Sequence, residues 1–342
     1  MATWGEVLRA INESGQARGP LGPDFDGIRL GYIERLAERT GRAVIVYASG
    51  WLAKAGFSDP ALTVEADDVH ALMECCHGVN EDELDLVIHS PGGSAEAAEQ
   101  MVEYLRSQFD YIRCFVPLQA KSAATMVALG CDEIVLGLHS ELGPIDPQIL
   151  VPVPEGQRFA PAHAILRDFQ RAKSEIAADV GVLPAWTPIL RGYAGGLLEF
   201  CTQQIALSQD IVATWLERHM LAHDDVDVDV DDRAAAASEI SKFFGSELSY
   251  DRFRTHGRPI RVEALEQLDG LRVSRLEENE TLQDAVLSVY HALDLTFRGP
   301  ALKIVENHLG RRKVRAIQQI VVQAGPGVPA GQTPEEQQPP SV

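Results

Sequence analysis

Two short stretches gather residue types suited to acyl transfer. The first is His89-Ser90-Pro91-Gly92-Gly93-Ser94. It follows the apolar run DLVIH and precedes a helical pattern, so it turns a strand into a helix. Such a turn leaves backbone N–H groups uncovered, and glycine lets a reacting carbonyl come close, as an oxyanion hole requires. The same residues also make an ordinary tight turn with Ser94 as a helix N-cap. No Gly-Lys-Ser/Thr follows, so the stretch is not a phosphate loop. The second stretch is Ala120-Lys121-Ser122-Ala123-Ala124-Thr125-Met126, after the run IRCFVP. Ser122 opens a helix of small residues. It is either a cap or a nucleophile with the Ala123 N–H beside it and the Gly92 N–H facing it.

A serine nucleophile needs a proton acceptor. Three histidines, His89, His139 and His163, lie near or downstream of the motifs, and none has a carboxylate placed by a recognisable pattern. The chain holds only six lysines against 24 arginines, and arginine stays protonated and cannot act as a base. Lys173 falls inside a stripe of Leu166, Phe169, Ile176 and Val180 at helical spacing. A lysine on an apolar face either snorkels or is desolvated, and desolvation lowers its pKa toward that of a useful base. Lys121 adjoins the serine, but neighbouring side chains on a helix diverge.

The elements that must position these residues alternate between residues 27 and 150. Apolar β-branched runs at 42–49, 85–90, 112–117 and 133–138 predict buried strands. Helices are predicted between them at 27–41, 66–78, 94–109 and 122–130. Strands alternating with helices argue for a mostly parallel sheet with crossover helices. Both motifs then lie at the ends of consecutive parallel strands, the edge where open α/β sheets place their sites. Beyond residue 158 the pattern predicts helices at 159–180, 195–221, 234–244, 281–297 and 300–311. The division expected is an N-terminal arm over 1–26, an α/β core over 27–158, a helical continuation over 159–323 that completes the fold and forms an oligomer interface, and a disordered tail over 324–342. The tail is rich in Pro, Gly and Gln, with valine as its only large apolar residue. Residues 224–232 carry six aspartates in nine positions without calcium-loop spacing, and read as a solvated acidic loop.

Composition narrows the function. With 342 residues and 45% hydrophobic side chains the chain builds a real core. A net charge of −20 argues against nucleic acid or anionic lipid as the main partner. No apolar run is long enough to span a bilayer, and the N-terminus lacks a secretory pattern. The five cysteines form no CxxC pair, which predicts reduced thiols in the cytoplasm.

The set HSPGGS, then AKSAATMVALGCDEIVLGLHSELGPIDPQI, then FQRAKSEI resembles the serine dehydrogenase proteinase family, of the ClpP/signal peptide peptidase A class of serine peptidases. The segments RTGRAVIVYASGWL, LEENETLQDAVLSVYHALDLT and ALKIVENHLG extend the resemblance to about residues 27–312. It implies a ClpP/crotonase-like fold. Ser122 matches the nucleophile, Ala123 supplies one oxyanion donor, and the Gly92-Gly93 turn supplies the other. Ile145 stands roughly where ClpP carries its histidine, so a ClpP-type triad is absent. Lys173 follows the serine at a separation similar to that in soluble parts of signal peptide peptidase A, which implies a Ser122–Lys173 dyad. Glu141 stands where that family has a small hydroxyl residue, and a carboxylate near Lys173 would raise its pKa. The expectation is therefore a cytoplasmic, homo-oligomeric serine peptidase acting on peptide or protein substrates, with no metal or organic cofactor. A crotonase-type acyl-CoA enzyme and an inactive ring-forming scaffold are the alternatives. No G-x-G-x-x-G follows a strand and no lysine sits in a pyridoxal setting, so dehydrogenase chemistry has no support.

Overall fold

A computed structural model describes residues 3–57, 59–153, 156–193 and 195–317. The four predicted apolar runs form strands β1 (Ala43–Ser49), β2 (Glu83–His89), β3 (Tyr111–Val116) and β4 (Glu133–Leu136). They pair in parallel in that order, with Ala48 opposite His89, Val87 opposite Phe115 and Val116 opposite Leu136. Helices Asp68–Cys76, Ala95–Arg106 and Ala123–Leu129 make the crossovers. The chain then adds three strands from its C-terminal half. β5 (Val273–Arg275) pairs in parallel with β4, β6 (Ala301–Asn307) runs antiparallel to β1, and β7 (Arg312–Ala316) runs antiparallel to β6. The sheet order is β7-β6-β1-β2-β3-β4-β5, a mixed α/β fold with a largely parallel sheet.

Alternation along each strand feeds two apolar layers. Ile45, Tyr47, Leu86, Ile88, Cys114 and Leu136 face one layer, which holds the three crossover helices with Leu197–Arg218 and Arg233–Gly245. Val44, Val46, Ala48, Val87, Phe115 and Val135 face the other. There they meet helix Phe25–Thr40 through Ile33 and Leu36, and helix Glu280–Phe297 through Val286, Val289 and Leu293. Both faces are covered, which is why these strands read as continuous apolar runs. The N-terminal stretch is a helix, Trp4–Arg18, opened by a Thr3/Glu6 capping box and packed through Val7 and Ile11 on Ala292 and Leu295.

Two expectations are corrected. Residues 300–311 are not a helix, since Ala301–Asn307 forms a fully buried strand beside β1. Lys303, Glu306 and Asn307 interrupt its apolar residues at helical intervals, and all three are buried against polar partners. Lys303 meets Asp68 at 2.8 Å, Glu306 meets Arg29 at 2.5 Å, and the Asn307 amide donates to the Cys75 carbonyl at 2.6 Å. The helix expected from 159 begins at Ala162, because Gly156–Pro161 pairs with Gln148–Val153 in a hairpin. The acidic stretch has one helical turn, Val230–Asp232, and Asp225 pairs with Arg272 at 2.9 Å. The expected tail at 324–342 lies outside the described residues.

Candidate active site

The two motifs are joined backbone to backbone. Ser90, just past β2, donates to the Gln119 carbonyl at 3.1 Å and accepts from the Lys121 N–H at 3.0 Å. A two-residue strand, Gln119–Ala120, also pairs with Glu141–Leu142. The turn carrying Ser122 is thereby fixed against the Pro91-Gly92-Gly93 turn.

Ser122 is half-buried and has φ 51° and ψ −121°. Such a conformation is costly for a side-chain-bearing residue, about 1–3 kcal/mol. Ser122 precedes helix Ala123–Leu129, yet its side chain makes no capping hydrogen bond. The capping reading therefore fails at Ser122, whereas Ser94 does cap its helix, accepting from Ala97 N at 3.0 Å. Thr125 buttresses the elbow: its hydroxyl donates to the Ala120 carbonyl at 2.8 Å and accepts from Gly143 N at 3.0 Å.

The glycines allow the close approach. A Cβ on Gly92, where φ is +92°, would lie 2.4 Å from the Lys121 carbonyl and 2.6 Å from Ser122 Cβ. On Gly93 it would lie 2.3 Å from the Val64 carbonyl. Val64 N donates to Gly92 O and Ser94 N to Val64 O, a parallel pairing that turns the Gly93 N–H away from Val64. The Gly92 N–H donates to Ser90 Oγ at 3.2 Å. Of the two glycines expected to supply a donor, Gly92 therefore has its N–H engaged. Gly93 N–H and Ala123 N–H are the groups that no hydrogen bond among the described residues engages.

Ser122, Gly92, Gly93 and Ala123 line a cleft of about 960 Å³ with an apolar wall of Ile149, Leu150, Phe159 and Phe200. Lys173 is not on its lining. It is exposed on helix Ala162–Ala178, whose buried face is Ala162, His163, Ile165 and Ala172. Leu166 of the expected stripe packs beside Ile165, but Val180 and Lys173 are exposed, so Lys173 does not lie within a buried face. Glu141, placed near Lys173 by the resemblance, pairs instead with Lys121 at 2.7 Å. The Lys121 ammonium also donates to the Leu142 carbonyl at 3.1 Å. Burial lowers the Lys121 pKa, with Glu141 opposing that shift. Lys121 thus clamps the elbow to the 141–143 segment.

The three histidines considered from sequence all turn a ring nitrogen to a backbone carbonyl: His89 to Gln119 at 3.1 Å, His139 to Pro117 at 3.0 Å and His163 to Gly245 at 2.9 Å. Burial holds His89 down to about 4. A fourth histidine, His256, has no motif to mark it in the sequence. It lines the Ser122 cleft, with Nδ1 2.7 Å from Asp146 Oδ1. It lies far from the serine in sequence with no motif around it, so only the fold brings it there.

Comparison with known proteins finds similarity over part of the chain. Two proteins of Methanocaldococcus jannaschii are similar in sequence. Uncharacterized protein MJ1495 is 31% identical over 121 residues, covering 35% of this chain and 39% of that protein. Uncharacterized protein MJ0137 is 33% identical over 87 residues, covering 25% and 30%. The chain thus spans about two fifths or less of the curated relatives it matches. Among solved structures, a point mutant of the 1510-N membrane-bound stomatin-specific protease aligns with a TM-score of 0.35 and 13% identity over 65% of this chain and 79% of that one. A second mutant of that protease, with a substrate peptide, aligns with a TM-score of 0.25 and 17% identity over 57% and 77%. Residues 61–183, a segment that contains both the Gly92-Gly93 turn and Ser122, match the family of ClpP-like SDH-type serine proteinases.

Proposed function

We propose that the chain is a serine peptidase with Ser122 as nucleophile and the Gly93 and Ala123 N–H groups as the oxyanion hole. The observation that carries this reading is the Ser122 backbone. A non-glycine residue stands at φ 51° without a cap bond in return, pressed against glycine backbone at the mouth of a cleft. Strain of this kind at a strand-to-helix turn exposes a nucleophilic hydroxyl. As Ser122 Oγ attacks a peptide carbonyl, two fixed N–H donors stabilise the oxyanion, each worth about 3 kcal/mol of barrier. The apolar wall favours peptides with bulky apolar side chains. Lys173, exposed and off the cleft lining, is not carried into this reading. The free, buried cysteines support the cytoplasm as compartment. Self-association belongs to the same proposal.

The test is labelling of the purified protein with a fluorophosphonate probe, together with turnover of apolar peptides. The wild type is expected to label, and Ser122→Ala to lose both labelling and turnover while keeping its fold. An unlabelled wild type, or a labelled Ser122→Ala variant, sinks the reading.

A further inference from the structure

A buried lysine grips the segment that pairs with the glycine turn. Lys303 on β6 has a side chain only 1% exposed. Its ammonium donates to both Asp68 oxygens at 2.8 Å and to the Thr63 carbonyl at 2.6 Å. These three bonds match the three protons an ammonium carries. Asp68, which opens helix Asp68–Cys76, is buried as well. Its Oδ2 also accepts from the Tyr47 hydroxyl at 2.6 Å and from the Glu65 N–H at 3.0 Å. The ammonium therefore holds the carbonyl just before Val64, and the carboxylate holds the N–H just after it.

Val64 is an isolated rung between that segment and the glycine turn. Its N–H donates to the Gly92 carbonyl at 2.8 Å and its carbonyl accepts from the Ser94 N–H at 3.0 Å. A rung without neighbours has no strand pattern to hold its register. The groups on either side of Val64 are held instead by the ion pair, and Ser49 Oγ adds a bond to the Leu62 carbonyl at 2.7 Å. Replacing a buried ion pair by apolar residues is often neutral for stability, so stability alone does not account for Lys303. Lys303 and Tyr47 lie outside the segment 61–183 that matches the family, so the match is silent about them.

We infer that Lys303 and Asp68 are positioning residues for the oxyanion hole, an inference that rests on the peptidase reading. By holding Thr63 and Glu65 they keep Val64 against Gly92 and Ser94. That pairing leaves the Gly93 N–H free at the wall of the cleft that Gly93 shares with Ser122. Tyr47 acts one step further back, by orienting the Asp68 carboxylate. Neither Lys303 nor Asp68 is on the cleft lining, so neither meets the substrate. An oxyanion donor strengthens its bond as charge develops in the transition state, so a donor held out of place lowers kcat rather than raising KM.

The experiment measures kcat and KM on one apolar peptide and the inhibition constant of a peptide boronate, whose tetrahedral adduct places an oxygen in the oxyanion hole. Urea midpoints are measured alongside, and circular dichroism checks that each variant is folded. Lys303→Met strands Asp68 and is expected to lower the midpoint. Combining Tyr47→Phe, Asp68→Leu and Lys303→Met replaces the whole cluster by apolar groups and is expected to regain most of that loss. Both are expected to lower kcat about 10-fold or more and to weaken the boronate by a similar factor, with KM little changed. Glu306→Leu breaks the other buried pair on β6 without touching residues 63–68, and is expected to lower the midpoint while keeping the wild-type kcat. A combined variant with wild-type kcat and boronate affinity overturns the inference and leaves the peptidase reading intact, as does a Glu306→Leu variant that loses kcat to the same extent. If the lysine variants do not fold, an unchanged kcat in the milder Tyr47→Phe overturns it equally, and a lowered kcat at constant KM supports it. A wild type that neither turns over peptide nor labels with fluorophosphonate removes both readings.

Discussion

Ser122 holds a positive-φ backbone with no side-chain capping bond in return, while His89 is kept neutral between Trp51 and Tyr290. Each sits beside a motif, and they act differently. The strained Ser122 lines a cleft. The burial of His89 stores a pH dependence in the fold. The His89 pKa is lowered from 6.5 to about 4, chiefly by desolvation, with the Gln119 carbonyl and Asp294 opposing. The unfolded chain therefore binds a proton that the native state refuses between these values. Stability is fully present above about 6.5 and falls as pH drops toward 4, by about 3 kcal/mol from this group. His219, also held to about 4, adds a slope of the same sign. His89→Gln is expected to make the pH dependence of urea unfolding shallower by one group over pH 4–6.5. An unchanged slope would place the acid sensitivity elsewhere.

Strand β6 shows how an element's period can mislead. Its buried charges fall at helical spacing in ALKIVEN, yet each meets a partner supplied by another element. Arg29 from helix Phe25–Thr40 reaches Glu306 with both side chains fully buried, and Arg29 also touches Asp26 at 2.9 Å. Removing one member strands the other in low dielectric, at a cost of about 3–5 kcal/mol, whereas replacing both with apolar groups is far milder. Glu306→Leu is expected near the lower end because Asp26 remains. Arg29→Met combined with Glu306→Leu is expected to recover most of that loss. Urea midpoints for the two single variants and the double variant check this, and additive losses would contradict it. The same lesson applies to helix Ala162–Ala178, where the fully buried side chains are Ala162, His163, Ile165 and Ala172 and Lys173 is exposed.

At the scale of the whole molecule, the C-terminal half is woven into the sheet rather than stacked on it. Helix Glu280–Phe297 buries its apolar stripe against β1 and β3 and helix Phe25–Thr40. The surface expected there for subunit contacts is therefore used inside the chain. Exposed apolar side chains occur instead at Val180, Leu183 and Ile189, away from the Ser122 cleft. Apolar groups clustered on a short surface segment mark a contact site. Light scattering at micromolar concentration is expected to give a multiple of 37.3 kDa. Leu183→Asp with Ile189→Asp should lower that mass, and a monomeric wild type would refute self-association.

The parallel core and the pairing of the two motifs were legible in the residues because they depend on local pattern. Strands covered on both faces are continuously apolar, and the stretches flanking Ser90 and Ser122 carry their own turn chemistry in glycine and small residues. The family resemblance rested on the same local stretches. Tertiary structure decided what depends on distant partners. It made 301–307 a strand by bringing Arg29 and Asp68 to its charges, turned Glu141 to Lys121, left Lys173 exposed, and engaged the Gly92 N–H with the Ser90 hydroxyl. It also brought His256 and Asp146 together across 110 positions of sequence. The spacing of residues along a chain records which face of an element is apolar, but not which remote group will satisfy a buried charge or complete a cleft.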